Sequence, residues 1–529
     1  MASLWYNALM KERRKLPVGI QSFVEIRTEN YYYVDKTTFV KKLIEEGKYY
    51  FLSRPRRFGK SLFLDTLRQA FLGRRNLFEG LYLEESWDWS KKYPVVYISF
   101  GAGVIGSRDE LKLKIETILE KNAHLYQEKL SKPLISDRFE ELILRLSEKY
   151  NQKIVVLIDE YDKPILDNIH RPEIAAEIRE ELKNFYSVLK DADPYLKFCF
   201  LTGVTKFSKV SIFSGLNNLK DITIHPEYAT ICGYTQEEFE KTFADRLEGV
   251  DLEEVRRWYN GYSWLGEPVY NPFDILLFLD SREFRPYWFE TGTPTFLIKL
   301  LTERKFFIPE LEHLEVGEEL IESFEIESIK PETILFQTGY LTIEKRYEIM
   351  PGEAVYLLRF PNVEVRKAFS DHLLNYFLED LSKKTANKIR MARVLKEGKV
   401  SQMMEVFRAF FASIPHDWYR KTELSGYEGF YASIFYCYFA ALGLEVRVED
   451  ATNQGRLDMA VLFEGRCYLF EFKVVESEAE GKALLQLKEK RYFEKYEGRC
   501  KKIFLIGVEF SKRERNIVFF EVEEISQRE

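Results

Sequence analysis

Residues 48–72 read KYYFLSRPRRFGKSLFLDTLRQAFL, and no other stretch constrains the fold as tightly. Residues 49–52 form an apolar run of strand length, whereas Phe63, Leu67, Ala70 and Phe71 recur at helical spacing. The polar residues between them therefore fall at a strand-to-helix turn. Such a turn leaves the first N–H groups of the helix unpaired and presents the positive end of its dipole, which suits an anion. Gly59 lets the backbone approach a phosphate, Lys60 adds a full charge, and Ser61 adds a hydroxyl suited to Mg2+. The segment is read as a phosphate-binding loop with nucleotide contacts from Arg56, Arg57, Phe58, Gly59, Lys60, Ser61 and Leu62.

The match to the pattern G-x-x-x-x-G-K-[ST] is incomplete, because Arg54 stands at the first glycine and is followed by Pro55, Arg56 and Arg57. A non-glycine tolerates positive φ poorly, and Pro55 fixes φ near about −65°. This loop should differ in shape from a glycine-rich one, with guanidinium groups compensating. The plainer reading of Gly-Lys-Ser alone is a solvated basic turn between a core strand and a core helix.

A second motif, KIVVLIDEYD at 153–162, joins the apolar run of a strand covered on both faces to adjacent acids, Asp159 and Glu160. Downstream of a phosphate loop this is the Walker B arrangement. Asp159 would hold Mg2+ through water, and Glu160 would orient or deprotonate the attacking water. Further strands are expected at 93–100 and 197–201, and a helix at 108–130. Because ligands of a parallel sheet sit beyond the carboxyl ends of strands, Thr202, Thr205 and Lys206 are candidates to sense a γ-phosphate, ahead of a segment at 207–218. The tyrosine-rich lead-in, YYYVDKT at 31–37, either wraps a nucleotide base or packs on the core.

With 529 residues, two or three domains are expected. A net charge of −7 argues against nonspecific coating of nucleic acid but leaves room for a local basic groove. The five cysteines are scattered without CxxC spacing, so buried thiols in a reducing compartment are expected rather than a zinc site or a disulfide framework. Without a signal-peptide core or a membrane-spanning apolar run, the chain is read as soluble and cytoplasmic, with no membrane partner.

From Thr235 the pattern becomes helical at 236–247, 252–259 and 274–279, and again at 363–380 and 388–413. This reads as a helical lid and connecting region. From residue 427 the expected order is helix (428–442), strand (444–449), hairpin (456–463 and 467–474), helix (478–496) and two strands (502–508, 516–522). If Glu464-Gly465 forms the hairpin tip, Leu462 faces Cys467, Ala460 faces Leu469 and Asp458 faces Glu471, with Lys473 on the Glu471 face. Opposed carboxylates repel, so a divalent cation or raised pKa values would have to offset them. Oxygen ligands of this kind suit Mg2+ or Mn2+, with Lys473 positioning water or neutralising a phosphorane. The plainer reading is an exposed hairpin of mixed charge, with Arg456 paired to Asp458.

These stretches together resemble a family of prokaryotic proteins with an AAA-type ATPase-like domain followed by a PD-(D/E)XK nuclease-superfamily domain. The N-terminal likeness runs through LPVGIQSF, YYYVDKT, SRPRRFGKSLFL, VVLIDEYDKPIL and LTGVTKFSKVSIFSGLNNL. The C-terminal likeness rests on GYEGFY, GRLDMAV and YLFEFK. An arginine-rich loop lacking the first glycine is the form this family shows. The resemblance implies that Asp458 and Glu471 are metal ligands, Lys473 the catalytic lysine, and Glu428 an additional acid. Gln486 resembles a late helix motif, whereas Tyr492, six positions on, cannot share its helix face.

The expected fold is thus α/β. A P-loop domain with a parallel sheet (1–235) precedes a helical middle region (236–395) and a nuclease-like α/β domain (396–529). The expected activity is an ATP- and Mg2+-binding ATPase coupled to a metal-dependent phosphodiesterase on DNA or RNA, with self-assembly into a homo-oligomer left open. The competing reading is a nucleotide-dependent switch that binds nucleic acid or a protein without cutting.

Overall fold

The computed structural model describes residues 13–206, 218–289, 295–304, 306–320, 330–377, 381–414, 428–452 and 454–525. The segment expected at 207–218 lies, except for Asn218, outside them, as do Gly426 and Tyr427 of the GYEGFY motif. The chain divides into two compact units. One comprises Met1–Trp288 with Glu315–Pro361, and the other Phe289–Leu314 with Asn362–Glu529.

The first unit is built on a parallel sheet of β1 (Tyr49–Ser53), β2 (Val95–Ser99), β3 (Ile154–Asp159), β4 (Leu196–Gly203) and β5 (Lys220–Asp221), in spatial order β2-β3-β4-β1-β5. Every residue of β1 and β3 is buried, as expected of central strands covered on both faces. The phosphate loop feeds the helix Lys60–Phe71, whose Phe63 and Phe71 pack on Phe200 and Phe198 of β4. The helix expected at 108–130 runs from Arg108 to Leu125 and stops as Gln127 turns left-handed (φ 56°). Two long helices that the sequence reading did not single out, Ile135–Tyr150 and Pro172–Asp191, complete the crossovers around β3.

The helical middle begins in this unit with Gln236–Thr242, opened by a capping box of Thr235 and Glu238, followed by Leu252–Tyr259 and Pro272–Ser281. Tyr259, Phe278 and Tyr287 pack with Tyr32 and Val34 of the lead-in, which supports the core role of that segment. A three-stranded sheet of β6 (Leu314–Val316), β7 (Thr342–Met350) and β8 (Glu353–Arg359) follows, with β8 in the middle. Among the described residues no helix is long and apolar enough to cross a membrane.

The second unit carries the helices Val363–Phe377, Leu381–Glu397, Met403–Phe411 and Glu428–Ala441. The helical stretch expected at 388–413 holds two helices, separated where Gly398 takes φ 70°. Its sheet runs β13-β12-β11-β10-β9, from β9 (Glu445–Thr452), β10 (Gly455–Phe463), β11 (Arg466–Val475), β12 (Lys502–Ser511) and β13 (Asn516–Ile525). Only β11 and β12 pair in parallel. Phe470 and Phe472 of β11 meet Phe435 of the Glu428–Ala441 helix. Cys467 and Leu469 alternate to the opposite face and pack with Leu484 and Leu487 of a second helix, Lys482–Glu489.

Two expectations are corrected here. The helix expected at 478–496 ends at Glu489, because Arg491 is left-handed (φ 46°), and the chain continues as a 3-10 turn, Tyr492–Tyr496. Cys467 and Cys500 form a disulfide with Cα atoms 5.9 Å apart, while Cys199, Cys232 and Cys437 are buried thiols. Cys467 pairs in register with Ile503, and the turn before β12 brings Cys500 alongside it, a proximity that a separation of 33 residues does not disclose.

Candidate functional site

In the first unit β4 stands between β1 and β3, so the strand carrying Asp159 is not the immediate neighbour of the strand that feeds the phosphate loop. Contacts bridge the gap: Thr202 Oγ1 donates to Asp159 Oδ1 at 2.7 Å, and the Arg54 N–H donates to the Gly203 carbonyl at 3.2 Å. Gly59 caps the Lys60–Phe71 helix at φ 89°, a left-handed geometry that favours glycine, and Arg57 shares the left-handed region at φ 67°. Lys60, buried beneath the loop, donates to the Arg54 and Pro55 carbonyls at 2.9 and 2.8 Å. Burial lowers the pKa of its ammonium, and the charge of Asp159 opposes this. Glu160 turns left-handed (φ 52°) directly after β3, and burial and Asp159 raise its pKa.

The guanidinium of Arg54 is turned inward, whereas Arg56 is exposed and its charge acts on Glu160. Arg54 is fully buried, donating to the Ser53 (2.9 Å), Thr223 (2.6 Å) and Tyr228 (3.1 Å) carbonyls and lying 4.1 Å from the Trp264 ring centroid. A charge sealed from water must find carbonyl and π partners, so this arginine holds the loop from inside and turns away from any ligand above. Arg54→Ala is therefore expected to destabilise the protein by about 3 kcal/mol, measured by urea unfolding. Arg57 lies 3.8 Å from the Phe273 ring centroid, while Phe58 is buried against Tyr262 and Trp264 and offers a ligand its backbone only.

Thr205 and Lys206 also depart from expectation. Thr205 is fully buried with its hydroxyl donating to Asp162 at 2.7 Å, and Lys206 pairs with Asp221 at 2.6 Å. Asp162 is the residue the sequence reading missed. Fully buried, it also accepts the Val204 and Thr205 N–H groups at 3.0 and 2.6 Å, tying the end of β4 to the turn after β3. The available signal was the third acid in Asp159-Glu160-Tyr161-Asp162. Beside the loop, a small cavity of about 60 Å³ is lined by Tyr32, Tyr33, Lys36, Gly59, Leu62 and Tyr234, room for a few water molecules.

In the second unit the hairpin register is as read: Leu462 faces Cys467 and Ala460 faces Leu469. The ladder closes at Met459–Phe470, one pair short of Asp458–Glu471. There the Asp458 carboxylate replaces the backbone partner and accepts the Phe472 N–H at 2.8 Å. Glu471 is 1% exposed, and its Oε1 accepts Lys473 Nζ at 2.9 Å and the Gln486 side-chain amide. Its Oε2 is buried without a hydrogen-bond partner. Arg456 does not pair with Asp458; it lies 3.8 Å from Glu449.

Burial raises the pKa values of both acids, Asp458 to about 6 and Glu471 to about 7, with the Asp458 charge adding to the rise at Glu471. Glu428, on the helix behind, is raised by burial, against the opposing charge of Lys473. Tyr492 was set aside because a continuous helix would turn it away. The left-handed Arg491 breaks that helix and brings Tyr492 near Gln486, Glu471 and Asp458, where burial and the two acids raise the pKa of its hydroxyl.

A buried carboxylate oxygen with no partner, beside a second, half-buried acid, fits a divalent cation. Among the described residues no three Asp, Glu, His or Cys side chains gather into a ready-made cage. Mg2+ suits such a site, because it uses one or two carboxylates and completes its shell with water and phosphate oxygens.

The raised pKa values also predict a pH dependence. A carboxylate whose folded pKa exceeds its unfolded value, about 4, holds extra protons when folded, so its contribution to stability is lost as pH rises from about 4 to about 7. In EDTA, this contribution should lower the unfolding temperature between pH 5 and pH 8. Mn2+ should restore it at pH 8 and do little at pH 5, read by thermal scans with Asp458→Asn as the flattened control.

With both sites placed, the class is defined: the chain belongs to the family of AAA-ATPase-like proteins that carry a C-terminal PD-(D/E)XK nuclease-superfamily domain. Family models described as "Predicted AAA-ATPase" and "PD-(D/E)XK nuclease superfamily" match residues 17–213 and 426–520. A relative, the "Uncharacterized protein in vnfD 5'region" of Azotobacter chroococcum mcd 1, is 52% identical over 514 residues, covering 97% of this chain and 99% of that protein.

Proposed function

We propose that this chain is an ATP-hydrolysing protein whose C-terminal domain is a divalent-metal-dependent phosphodiesterase acting on DNA or RNA. The observation that carries the reading is the asymmetry of Glu471: one oxygen is held by Lys473 and Gln486, and the other is buried and unpartnered beside Asp458. Asp458 and Glu471 hold the metal, with Glu428 as an additional acid. Bound metal supplies Lewis acidity toward a phosphoryl oxygen and lowers the pKa of water. Lys473 sets its positive charge where negative charge grows as the water oxygen–phosphorus bond forms and the ester oxygen–phosphorus bond breaks.

In the first unit, the backbone N–H groups of 56–62 and the Lys60 ammonium take the triphosphate, with Ser61 and Asp159 on the Mg2+ side. Glu160 holds the proton of the attacking water, a task suited to its raised pKa. Arg54, Thr205 and Lys206 act as supports rather than ligands.

The test incubates the full chain with labelled single- and double-stranded DNA and RNA, with Mg2+ or Mn2+, and with or without ATP. Metal-dependent products that disappear in Asp458→Asn support the reading. Binding without products replaces it with the nucleotide-dependent switch.

A further inference from the structure

We propose that Glu509, a residue of β12 outside the carboxylate site itself, is a positioning residue for that site, acting through the helix that presents Gln486. The inference rests on the phosphodiesterase reading above. In the parallel register of β11 and β12, Glu471 lies opposite Gly507 and Lys473 opposite Glu509. Neither β12 residue contributes an ordinary packing side chain.

At Gly507 a Cβ would fall 2.4 Å from the Leu484 backbone nitrogen, so only glycine lets the Lys482–Glu489 helix lie directly on the strand at the level of Glu471. Glu509, fully buried, turns to the start of the same helix. Its Oε2 accepts the Glu480 and Gly481 N–H groups at 2.6 and 3.1 Å, and its Oε1 accepts the Ala483 N–H at 3.2 Å. The helix has no cap of its own, since its N-cap is Gly481 in the left-handed conformation without a side chain to offer. Donors that a helix start leaves unpaired are therefore satisfied from the neighbouring strand by a full negative charge, in the orientation the helix dipole favours.

The two contacts fix different freedoms. Gly507 sets the height of the helix above the sheet, and Glu509 pins its first turn along the strand. Together they place Gln486 so that its amide reaches Glu471 Oε1, leaving Oε2 for the metal. A plain stability cap would make any effect of Glu509 on metal affinity independent of Gln486; a positioning cap makes that effect depend on it.

The experiment is a double-mutant cycle on the full chain, Glu509→Gln with Gln486→Ala. Its readouts are the Mn2+ binding that Asp458→Asn abolishes and single-turnover cleavage of labelled DNA, with folding followed by circular dichroism. Glu509→Gln keeps the shape but cannot accept with both side-chain atoms, and should weaken Mn2+ binding and cleavage about tenfold or more. In the Gln486→Ala background the same change should add less than about twofold. Gly507→Ala, which leaves Glu509 intact and lifts the helix, should show the same dependence on Gln486.

Equal losses in both backgrounds, or no loss from Glu509→Gln and Gly507→Ala in folded protein, overturn the positioning role while leaving the phosphodiesterase reading in place. A parent chain with no Asp458-dependent Mn2+ binding and no cleavage overturns both.

Discussion

Asp458→Asn and Glu471→Gln are each expected to slow metal-dependent cleavage by about a thousandfold or more. The estimate follows from the several kcal/mol of charge stabilisation a bound metal supplies, at about 1.4 kcal/mol per tenfold in rate. Both replacements are near-isosteric and remove a charge from a pair whose protonation is already favoured by desolvation. In EDTA at pH 8 the variants should therefore melt no lower than the parent, and Asp458→Asn somewhat higher. Loss of cleavage with retained or improved stability separates removal of a metal ligand from damage to the fold. Single-turnover cleavage and thermal unfolding on the same preparations check it.

Lys60→Ala is expected to weaken ATP binding about 10- to 150-fold, the factor that corresponds to losing a charge-assisted hydrogen bond of about 1.5–3 kcal/mol, and to abolish hydrolysis. The buried ammonium offsets the negative charge of Asp159, Glu160 and Asp162. Removing it leaves that charge facing an incoming triphosphate. Glu160→Gln should behave differently, binding ATP as the parent does while hydrolysis falls, because its role concerns the attacking water. Equilibrium titration with a fluorescent ATP analogue and phosphate release on both variants check the pair of outcomes. Lys60→Ala binding ATP as tightly as the parent would remove the nucleotide site from the account.

What the sequence disclosed, and what it withheld, follows the range of the interactions. Strand β3 was legible because six consecutive buried residues need only a continuous apolar run to announce them. The hairpin around Glu464-Gly465 was legible because a short turn fixes its own register, and Leu462 opposite Cys467 follows from that alone. The fate of Arg54 was not, since its acceptors at Thr223 and Tyr228 lie 169 and 174 residues away. Tyr492 was misjudged through a local event of the same kind of invisibility. A single left-handed arginine ends a helix whose composition gives no warning, and it returns the tyrosine to the site. The strand order that inserts β4 between β1 and β3 likewise depends on pairings between distant segments.

The plugged arginine bears on where the chain can be cut. The match to the ATPase-like family ends at residue 213, yet the carbonyls that receive the Arg54 guanidinium belong to Thr223 and Tyr228, and the edge strand β5 to Lys220–Asp221. A recombinant fragment trimmed at the family border would retain every residue of the phosphate-loop motif and lose the sockets that seat it. During synthesis, too, the loop can reach its final shape only after about 230 residues have left the ribosomal tunnel, so the phosphate-loop motif settles well after its own signature has been translated.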